Sequence, residues 1–286
     1  MYYLLIIIAV VMFGGCFALN DEYRKIRSSS FVSSMEHVFF GGVAGVIVLL
    51  FVSGFRFQVT PFTFCMAACS SLCAIGFNFC SFKALDKVNL SLYSLFSMLG
   101  GMALPFFQGI IFYNEKLTIA KVICFVLISI ALLLTVSKDK GKKGTMYYAG
   151  IFMFNGLSGV LAKIFVSAPF EKTSSEWYSI WIAIITIAIS GVLRFVVLRK
   201  KEMPRYTWKA LGISSMNGVL NRVANFLLVI ALAHVDTSVQ YPMVTGGVIV
   251  VSTLVCCLGK NKPKKKEVLS VIVSFVGLLV LFLMKN

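Results

Sequence analysis

One arginine of the chain lies deep inside an apolar segment, where its charge has no easy route to water. Arg222 stands about 15 residues into the segment 208–232. The polar residues of this segment recur close to one face at helical spacing: Ser214, Asn217, Asn221 and Asn225. Charged side chains within a membrane segment are costly and usually functional. A guanidinium among amides and hydroxyls favours ligands with a carboxylate or a phosphate, because its planar fork donates to two oxygens.

Two other basic residues fall within apolar segments but near their ends. Lys163 is about four residues from the end of the segment 146–167, and Arg194 is similarly placed in 177–198. Snorkelling to the membrane surface would explain both, although Lys163 is also a candidate for ligand binding. The remaining candidates are amides and hydroxyls, each of which could instead form a hydrogen bond between helices. They are Asn78, Tyr93, Ser94, Ser97, Asn155, Ser158, Asn217, Asn221, Asn225, Gln240, Tyr241 and Thr245.

Two prolines occupy equivalent places in the two halves of the chain, each close to a glycine pair. A proline inside a helix removes one backbone donor and permits a bend, which would suit a gate. Proline and glycine are also common in membrane helices generally. The candidate gating residues are Pro105, Pro242, Gly100, Gly101, Gly246 and Gly247.

Acidic residues are scarce and lie outside the apolar interior. All 11 map to connections or segment ends, so we expect no buried carboxylate that could carry a proton. If the chain is a transporter, the options for its mechanism are facilitated diffusion, exchange, or ion coupling through His234 or a carboxylate at a helix end. The two histidines and eight cysteines form no nucleophile–base pair and no metal-ligand set. We therefore expect no enzyme, no metal and no cofactor.

The elements that must position these residues are ten apolar segments, each near the roughly 20 residues that a helix needs to cross a bilayer. They cover residues 2–19, 35–55, 61–82, 90–112, 118–136, 146–167, 177–198, 208–232, 237–258 and 267–284. Only helices satisfy their own backbone groups within lipid. The predicted fold class is therefore an all-α integral membrane protein, and its ligand site must lie among the helices.

Composition and charge placement agree with this class. Hydrophobic residues make up 59% of the chain and charged residues 13%, which excludes an ordinary soluble domain. The net charge of +16 would suggest a nucleic-acid partner in a soluble protein, but 19 of the 27 Lys and Arg lie in connections after odd-numbered segments. The positive-inside rule places that side in the cytoplasm. We predict a multi-pass protein of the plasma (inner) membrane with both termini on the non-cytoplasmic side and no nucleic-acid partner.

The second half of the chain repeats the first. Asn78-Phe79 corresponds to Asn225-Phe226 at a spacing that holds for at least 12 positions. The repeats cover residues 1–137 and 146–286, joined by a basic cytoplasmic linker at 138–145. Because each half has five segments, the second copy is inverted relative to the first, an arrangement typical of transporters that rock about a site near the midplane.

The predicted function is secondary-active or facilitative transport of a small polar metabolite or drug-like compound by alternating access, in a monomer or homodimer. A flippase for a lipid-linked or amphiphilic substrate is the alternative on the same fold. A receptor or assembly subunit without transport is a further class.

The chain resembles the drug/metabolite transporter superfamily, in particular its ten-helix EamA-like members. The resemblance rests on three weak motifs: the turn from Phe112 to Thr118 with Glu115, the small-residue run from Gly156 to Lys163, and Pro242. It implies a cavity lined by helices of both halves. Three features depart from the family. The counterpart of Glu115 in the second half falls near Asn261-Lys262, so the acidic turn is absent there. The counterpart of Lys163 in the first half is Leu19. Well-known members of the family have their termini inside, whereas the charges of this chain predict termini outside.

Overall fold

In the residues that the computed structural model describes, the chain is helical apart from short connections, which confirms the all-α part of the predicted fold class. The structure describes residues 1–27, 31–85, 90–134, 145–198, 206–258 and 265–284. The helices are α1 (Tyr2–Ile26), α2 (Phe31–Val52), α3 (Pro61–Leu85), α4 (Leu90–Phe112), α5 (Ile119–Leu134), α6 (Thr145–Ser167), α7 (Ser175–Leu198), α8 (Trp208–Leu232), α9 (Thr237–Leu258) and α10 (Lys265–Leu283).

Nine of the helices in the described ranges are long and apolar enough to cross a membrane. The exception is α5, whose 16 described residues are apolar but short. Its predicted span extends to residue 136, and residues from 135 onward lie outside the described part. The helices therefore support a multi-pass membrane protein, as predicted.

The first two helices are longer than the hydropathy pattern predicts. α1 ends at Ile26, seven residues beyond its predicted end, and α2 begins four residues early. The added turns of α1 are polar, but helical hydrogen bonding continues to Arg27, whose N–H donates to the Tyr23 carbonyl at 2.9 Å. The Tyr23 hydroxyl donates to the carbonyl of Ser33 at 2.9 Å and ties α1 to α2. The predicted polar connection 20–34 is therefore mostly helix.

Several predicted features fall outside the described residues. Parts of all five connections after odd-numbered helices do so: 28–30, 86–89, 135–144, 199–205 and 259–264. The predicted linker 138–145 enters the description only at Thr145, where α6 begins. The orientation inferred from the basic residues thus stays a prediction. We call this side of the bundle the basic end and the opposite side, which carries both chain termini, the termini end.

Each half of the chain packs mainly against the other half. α1 packs on α8 and α9, α2 on α7 and α8, α3 on α6 and α7, α4 on α6 and α9, and α5 on α10. Contacts between α2 and α3, α3 and α4, or α4 and α5 are sparse by comparison. The halves are therefore interleaved in one bundle, and any interior site is lined by both.

A glycine pair brings α2 and α8 into backbone contact. A Cβ added to Gly218 would overlap the carbonyl group of Gly41, so no side chain fits at this crossing. A second crossing joins α4 to α6, where a Cβ on Gly100 would overlap the backbone of Phe152. Small residues let membrane helices approach closely enough for extensive dispersion contact. The helix that carries Arg222 is thereby held against α2.

Candidate functional site

One face of α8 points into the interior of the bundle. Met216 is 55% exposed and apolar, as expected for a side chain that faces lipid. Asn225 follows nine residues later, which at about 100° per residue places it on the opposite side of the helix. Its next-turn neighbours Leu228 and Val229 pack into two apolar clusters of the core. Leu228 joins the cluster formed by α1, α4, α5, α9 and α10, and Val229 joins the cluster formed by α3, α6 and α7. The exposed Asn225 therefore faces a space enclosed by these helices rather than lipid.

Asn221 shares this interior face. The Asn225 amide nitrogen donates to the backbone carbonyl of Asn221 at 2.7 Å and lies 3.1 Å from its side-chain oxygen. Within the described residues, the amide nitrogen of Asn221 has no protein acceptor, so it is available to a ligand. The two carboxamides form a polar strip on α8, whose other residues at this depth, apart from Arg222, are apolar.

Arg222 lies next to this strip, near the middle of α8. Its stem packs on α2, where a Cβ added to Gly45 would lie 2.6 Å from the Arg222 Cγ. The residue is half-buried. Among the residues that the structure describes, its guanidinium has neither a hydrogen-bond partner nor a carboxylate partner. The arginine that the sequence singled out is therefore a charged group in the bundle whose counter-charge is not supplied by the described protein.

The position on α3 that the predicted repeat pairs with Asn225 has the same local geometry, but no charge lies beside it. Asn78 on α3 donates from its amide to the carbonyl of Ala74 at 2.8 Å, matching the bond that Asn225 makes on α8. In the predicted repeat alignment, Ile75 takes the place of Arg222. α3 and α8 each contact α6 and α7. Asn78 follows the exposed Cys69 by nine residues, so it lies on the opposite side of α3 from that lipid-facing position. The interior thus has two asparagine-bearing walls, of which only the α8 wall carries a cation.

The candidates on α6 and α9 are joined to their neighbours by hydrogen bonds. Asn155 donates to the backbone carbonyl of Ser97 at 2.7 Å and lies 3.4 Å from its hydroxyl, joining α6 to α4. Tyr241 donates to the carbonyl of Gly159 at 3.1 Å and joins α9 to α6. Ser158 is half-buried on α6. These bonds border the interior and also hold the helices together.

Other predicted site residues serve the packing of the bundle. The Asn217 amide donates to the carbonyl of Cys16 at 3.0 Å and to the side chain of Asn20 at 3.2 Å. Its amide hydrogens therefore join α8 to α1 and are not available to a ligand. Gln240 is buried and donates to the Leu228 carbonyl at 3.0 Å. Thr245 is buried as well. The side chains of Tyr93 and Ser94 lie outside the described part of the chain.

The six gating candidates are buried or half-buried within helix contacts: Gly100, Gly101, Pro105, Pro242, Gly246 and Gly247. Gly101 lies against Asn155 of α6, and Gly246 lies against the side chains of Ile128 and Ser274 on α5 and α10. Pro105 packs on Gly159. These positions fix how closely the helices approach one another.

A buried carboxylate joins three elements at the termini end. Glu115 lies in the α4–α5 connection, one residue after Asn114, which adopts the left-handed φ of 52° that turns the chain back. Its oxygens accept the backbone N–H groups of Thr237 and Ser238 at 2.7 and 2.8 Å and the Ser238 hydroxyl at 2.5 Å. Lys163 of α6 lies 3.5 Å from the same carboxylate. We call this set the Glu115 junction.

The Glu115 junction stabilises the start of α9. The first backbone N–H groups of a helix lack partners, and a negative charge is favourable there. Burial alone would raise the pKa of the Glu115 carboxyl, but the hydrogen bonds from Ser238 and Thr237 outweigh it and hold that pKa below its usual value. Nearby, Lys121 of α5 is buried and lies 2.8 Å from Asp236, just before α9. The α4–α5 connection and α5 thus both bind the start of α9.

A second buried carboxylate joins helices at the basic end. Glu36 of α2 is only 3% exposed and lies 2.5 Å from the Arg27 guanidinium at the end of α1. Arg194 of α7 lies 3.4 Å from the other oxygen of Glu36. We call this set the Glu36 junction.

Beside the Glu36 junction, a short polar chain continues to α8. His37 of α2 and Tyr206, which precedes α8, both contact the Ser214 hydroxyl, at 2.8 and 2.7 Å. The polar chain links the junction helices to the helix that carries Arg222.

The sequence prediction of no buried carboxylate is therefore wrong for Glu36 and Glu115. Both stand at segment ends, where hydropathy cannot distinguish a solvated side chain from one covered by neighbouring helices. Lys163 and Arg194 are each paired with one of these carboxylates, so snorkelling to the membrane surface is not needed to explain their positions. In the described residues no group of three or more His, Cys, Asp or Glu could hold a metal ion.

A protein of known crystal structure shares this fold. It superposes with a TM-score of 0.76 over 99% of this chain and 96% of its own length, at 16% sequence identity. At that identity the likeness concerns the fold alone. No family model matches the chain, and no curated protein matches it by sequence.

Proposed function

We propose that the protein is a membrane transporter that moves a small polar compound by alternating access. The observation that carries this proposal is the interior face of α8, where two asparagines and an arginine line a space enclosed by helices of both halves. Polar groups inside a membrane bundle are expensive and mark substrate pathways. A site among helices rather than in the short connections fits a carrier better than a receptor, which would bind its ligand at an accessible surface.

The helix pairing supports an inverted-repeat arrangement of residues 1–137 and 146–286. In such an arrangement each helix has a counterpart five positions away in the chain, so every contact should have a matching contact between the two counterparts. The α1–α8 contact is matched by α6–α3, α2–α8 by α7–α3, and α1–α9 by α6–α4, and all of these contacts occur. The matching bonds of Asn78 and Asn225 follow the same correspondence. Repeats of this kind supply two equivalent bundles that can tilt about a central site.

Each end of the bundle has a junction that could act as a gate. The Glu115 junction joins α6 and α9 at the termini end, and the Glu36 junction joins α1, α2 and α7 at the basic end. We propose that opening alternates between these ends, with the proline and glycine candidates in α4 and α9 adjusting the helix contacts.

The EamA-like drug/metabolite transporter family is part of the same proposal. Two residues on which that resemblance rests, Glu115 and Lys163, are far apart in sequence but 3.5 Å apart in the structure. The proposal includes an inner-membrane location with termini on the non-cytoplasmic side. Reporter fusions at residue 286, one active only in the cytoplasm and one only outside it, test the orientation.

Accessibility of α8 to thiol reagents tests alternating access. The native cysteines are first replaced, since Cys65 and Cys69 are exposed, and a single cysteine is then placed at Asn225 or at Met216. A membrane-impermeant reagent is applied to vesicles of either orientation. We expect Asn225→Cys to react from both sides, because it lines the pathway, and the matched lipid-facing variant Met216→Cys to react from neither.

A third variant separates a carrier from a channel. Adding Glu115→Gln weakens the Glu115 junction, so labelling of Asn225→Cys should rise from the termini end and fall from the basic end. Labelling that rises at one end without falling at the other would contradict alternating access. Scrambling of labelled lipid without counterflow of any soluble compound would instead favour the flippase.

A further inference from the structure

The buried and half-buried basic side chains of the described residues differ in one respect. Four of them have a carboxylate within 4 Å: Arg27, Lys121, Lys163 and Arg194. The fifth, Arg222, has none. The paired four all lie near helix ends, whereas Arg222 lies near the middle of α8.

An unpaired guanidinium inside a bundle is unstable unless something supplies the missing charge. Deprotonation is not available to it, because arginine stays charged in proteins. Lipid offers no counter-charge at this depth, and the nearest polar groups of the strip are neutral carboxamides. An anion that enters the interior would therefore meet a preformed, uncompensated cation.

We propose, resting on the transport function above, that Arg222 anchors an anionic group of the transported compound, a carboxylate or a phosphate. The guanidinium fork matches the geometry of both groups. The Asn221 amide, which has no protein acceptor within the described residues, and the Asn225 carboxamide are placed to orient the rest of the ligand. In helical projection Asn225 lies between Arg222 and Asn221, at about 60° and 40° respectively.

The asymmetry of the repeats limits the site to one anchor. Ile75 occupies the place of Arg222 on α3, so the opposite wall offers the Asn78 carboxamide but no second cation. A compound with one anionic end and one neutral polar end fits this arrangement, whereas a dication or a simple cation does not.

Binding of matched probes to the purified full-length protein tests the proposal. The probes are succinamate, which has one carboxylate and one carboxamide, its uncharged analogue succinamide, inorganic phosphate, and ethanolamine as a cation, compared at equal ionic strength by thermal unfolding. We expect succinamate or phosphate to raise the unfolding midpoint well above the small shift that succinamide gives, and ethanolamine to leave it unchanged. Arg222→Gln should weaken the anion roughly 10- to 100-fold, the loss of one charge-assisted contact pair.

Two further variants keep the result interpretable. Arg56→Gln removes one positive charge from an exposed connection, so it controls for general attraction of anions to a basic protein. Arg222→Lys keeps the charge but not the fork and should retain part of the affinity, which covers the case in which Arg222→Gln does not fold. Equal losses in Arg222→Gln and Arg56→Gln would overturn the proposal, as would the absence of any anion-dependent shift.

The same assay distinguishes a soluble anion from a lipid headgroup. The protein is reconstituted in phosphatidylcholine vesicles with and without phosphatidylglycerol. Stabilisation by phosphatidylglycerol that depends on Arg222 would assign the anionic group to lipid, whereas stabilisation by succinamate or phosphate in phosphatidylcholine alone assigns it to a soluble compound. Binding confined to neutral or cationic probes would refute the anion site and leave the thiol-accessibility test of transport untouched.

Discussion

Replacing Arg222 with methionine should make the ligand-free protein more stable. The methionine stem is long enough to keep the contact with Gly45, while the unpaired charge is removed. Placing arginine at the centre of a membrane helix costs about 2.5–3.5 kcal/mol on insertion scales. Because Arg222 is only half-buried, we expect a smaller gain of about 1–2 kcal/mol.

The matched variant Lys163→Met should have the opposite effect. It leaves Glu115 buried, with its hydrogen bonds to Thr237 and Ser238 but without a counter-ion. We expect a loss of about 1–3 kcal/mol, less than for a fully unpaired charge because those bonds remain.

Both variants are compared with the parent protein in neutral detergent without added anions, by following unfolding through tryptophan fluorescence, to which the buried Trp177 contributes. An anion that binds at Arg222 should stabilise the parent protein only and so reduce or reverse the advantage of Arg222→Met. If Arg222→Met is destabilised as much as Lys163→Met, the arginine has a structural partner and the reasoning from its unpaired charge is refuted.

Two other predictions concern the frame around the site. The lowered pKa of Glu115 means that its ionised form stabilises the fold above the ordinary value of 4.5, and that this contribution is lost as the pH falls through the lower folded-state pKa. The stability difference between the parent and Glu115→Gln should therefore be full near neutrality and shrink in acid; a difference that grows in acid would contradict it. Gly218→Ala should strongly reduce the yield of folded protein, because its Cβ overlaps Gly41, whereas Gly212→Ala, with open space around it, should fold normally.

Hydropathy and periodicity predicted the helices because a membrane-spanning helix needs a long apolar run. The end of α1 and the start of α2 were predicted less well, since these turns contain polar residues and are joined by the hydrogen bond between Tyr23 and Ser33. Arg222 stood out because a single charge interrupts the apolar run of α8. Its neighbours Asn221 and Asn225 followed from helical spacing alone.

The Glu36 and Glu115 junctions could not be predicted in the same way. Each depends on which helix ends meet, and that is set by packing between segments far apart in sequence. One signal was available: a chain with only 11 carboxylates keeps Glu36 close to the start of a predicted span and Glu115 in a tight turn. The partners Arg27 and Lys163 become evident only from the fold.

The two walls of the interior should make different contributions to ligand recognition. Arg222 belongs to the α2–α8 pair, which the crossing at Gly218 holds together, whereas Asn78 lies on α3, which Ser70 joins to Tyr178 of α7 at 2.9 Å. A ligand that reached both walls would connect these helix pairs across the interior. Because only the α8 wall carries a charge, Asn78→Ala should weaken a carboxylate and its amide analogue by similar factors, while Arg222→Gln should weaken the carboxylate alone. Competition binding with the two analogues measures both ratios. A charge-selective effect of Asn78→Ala would mean that the anion binds between the walls rather than on α8.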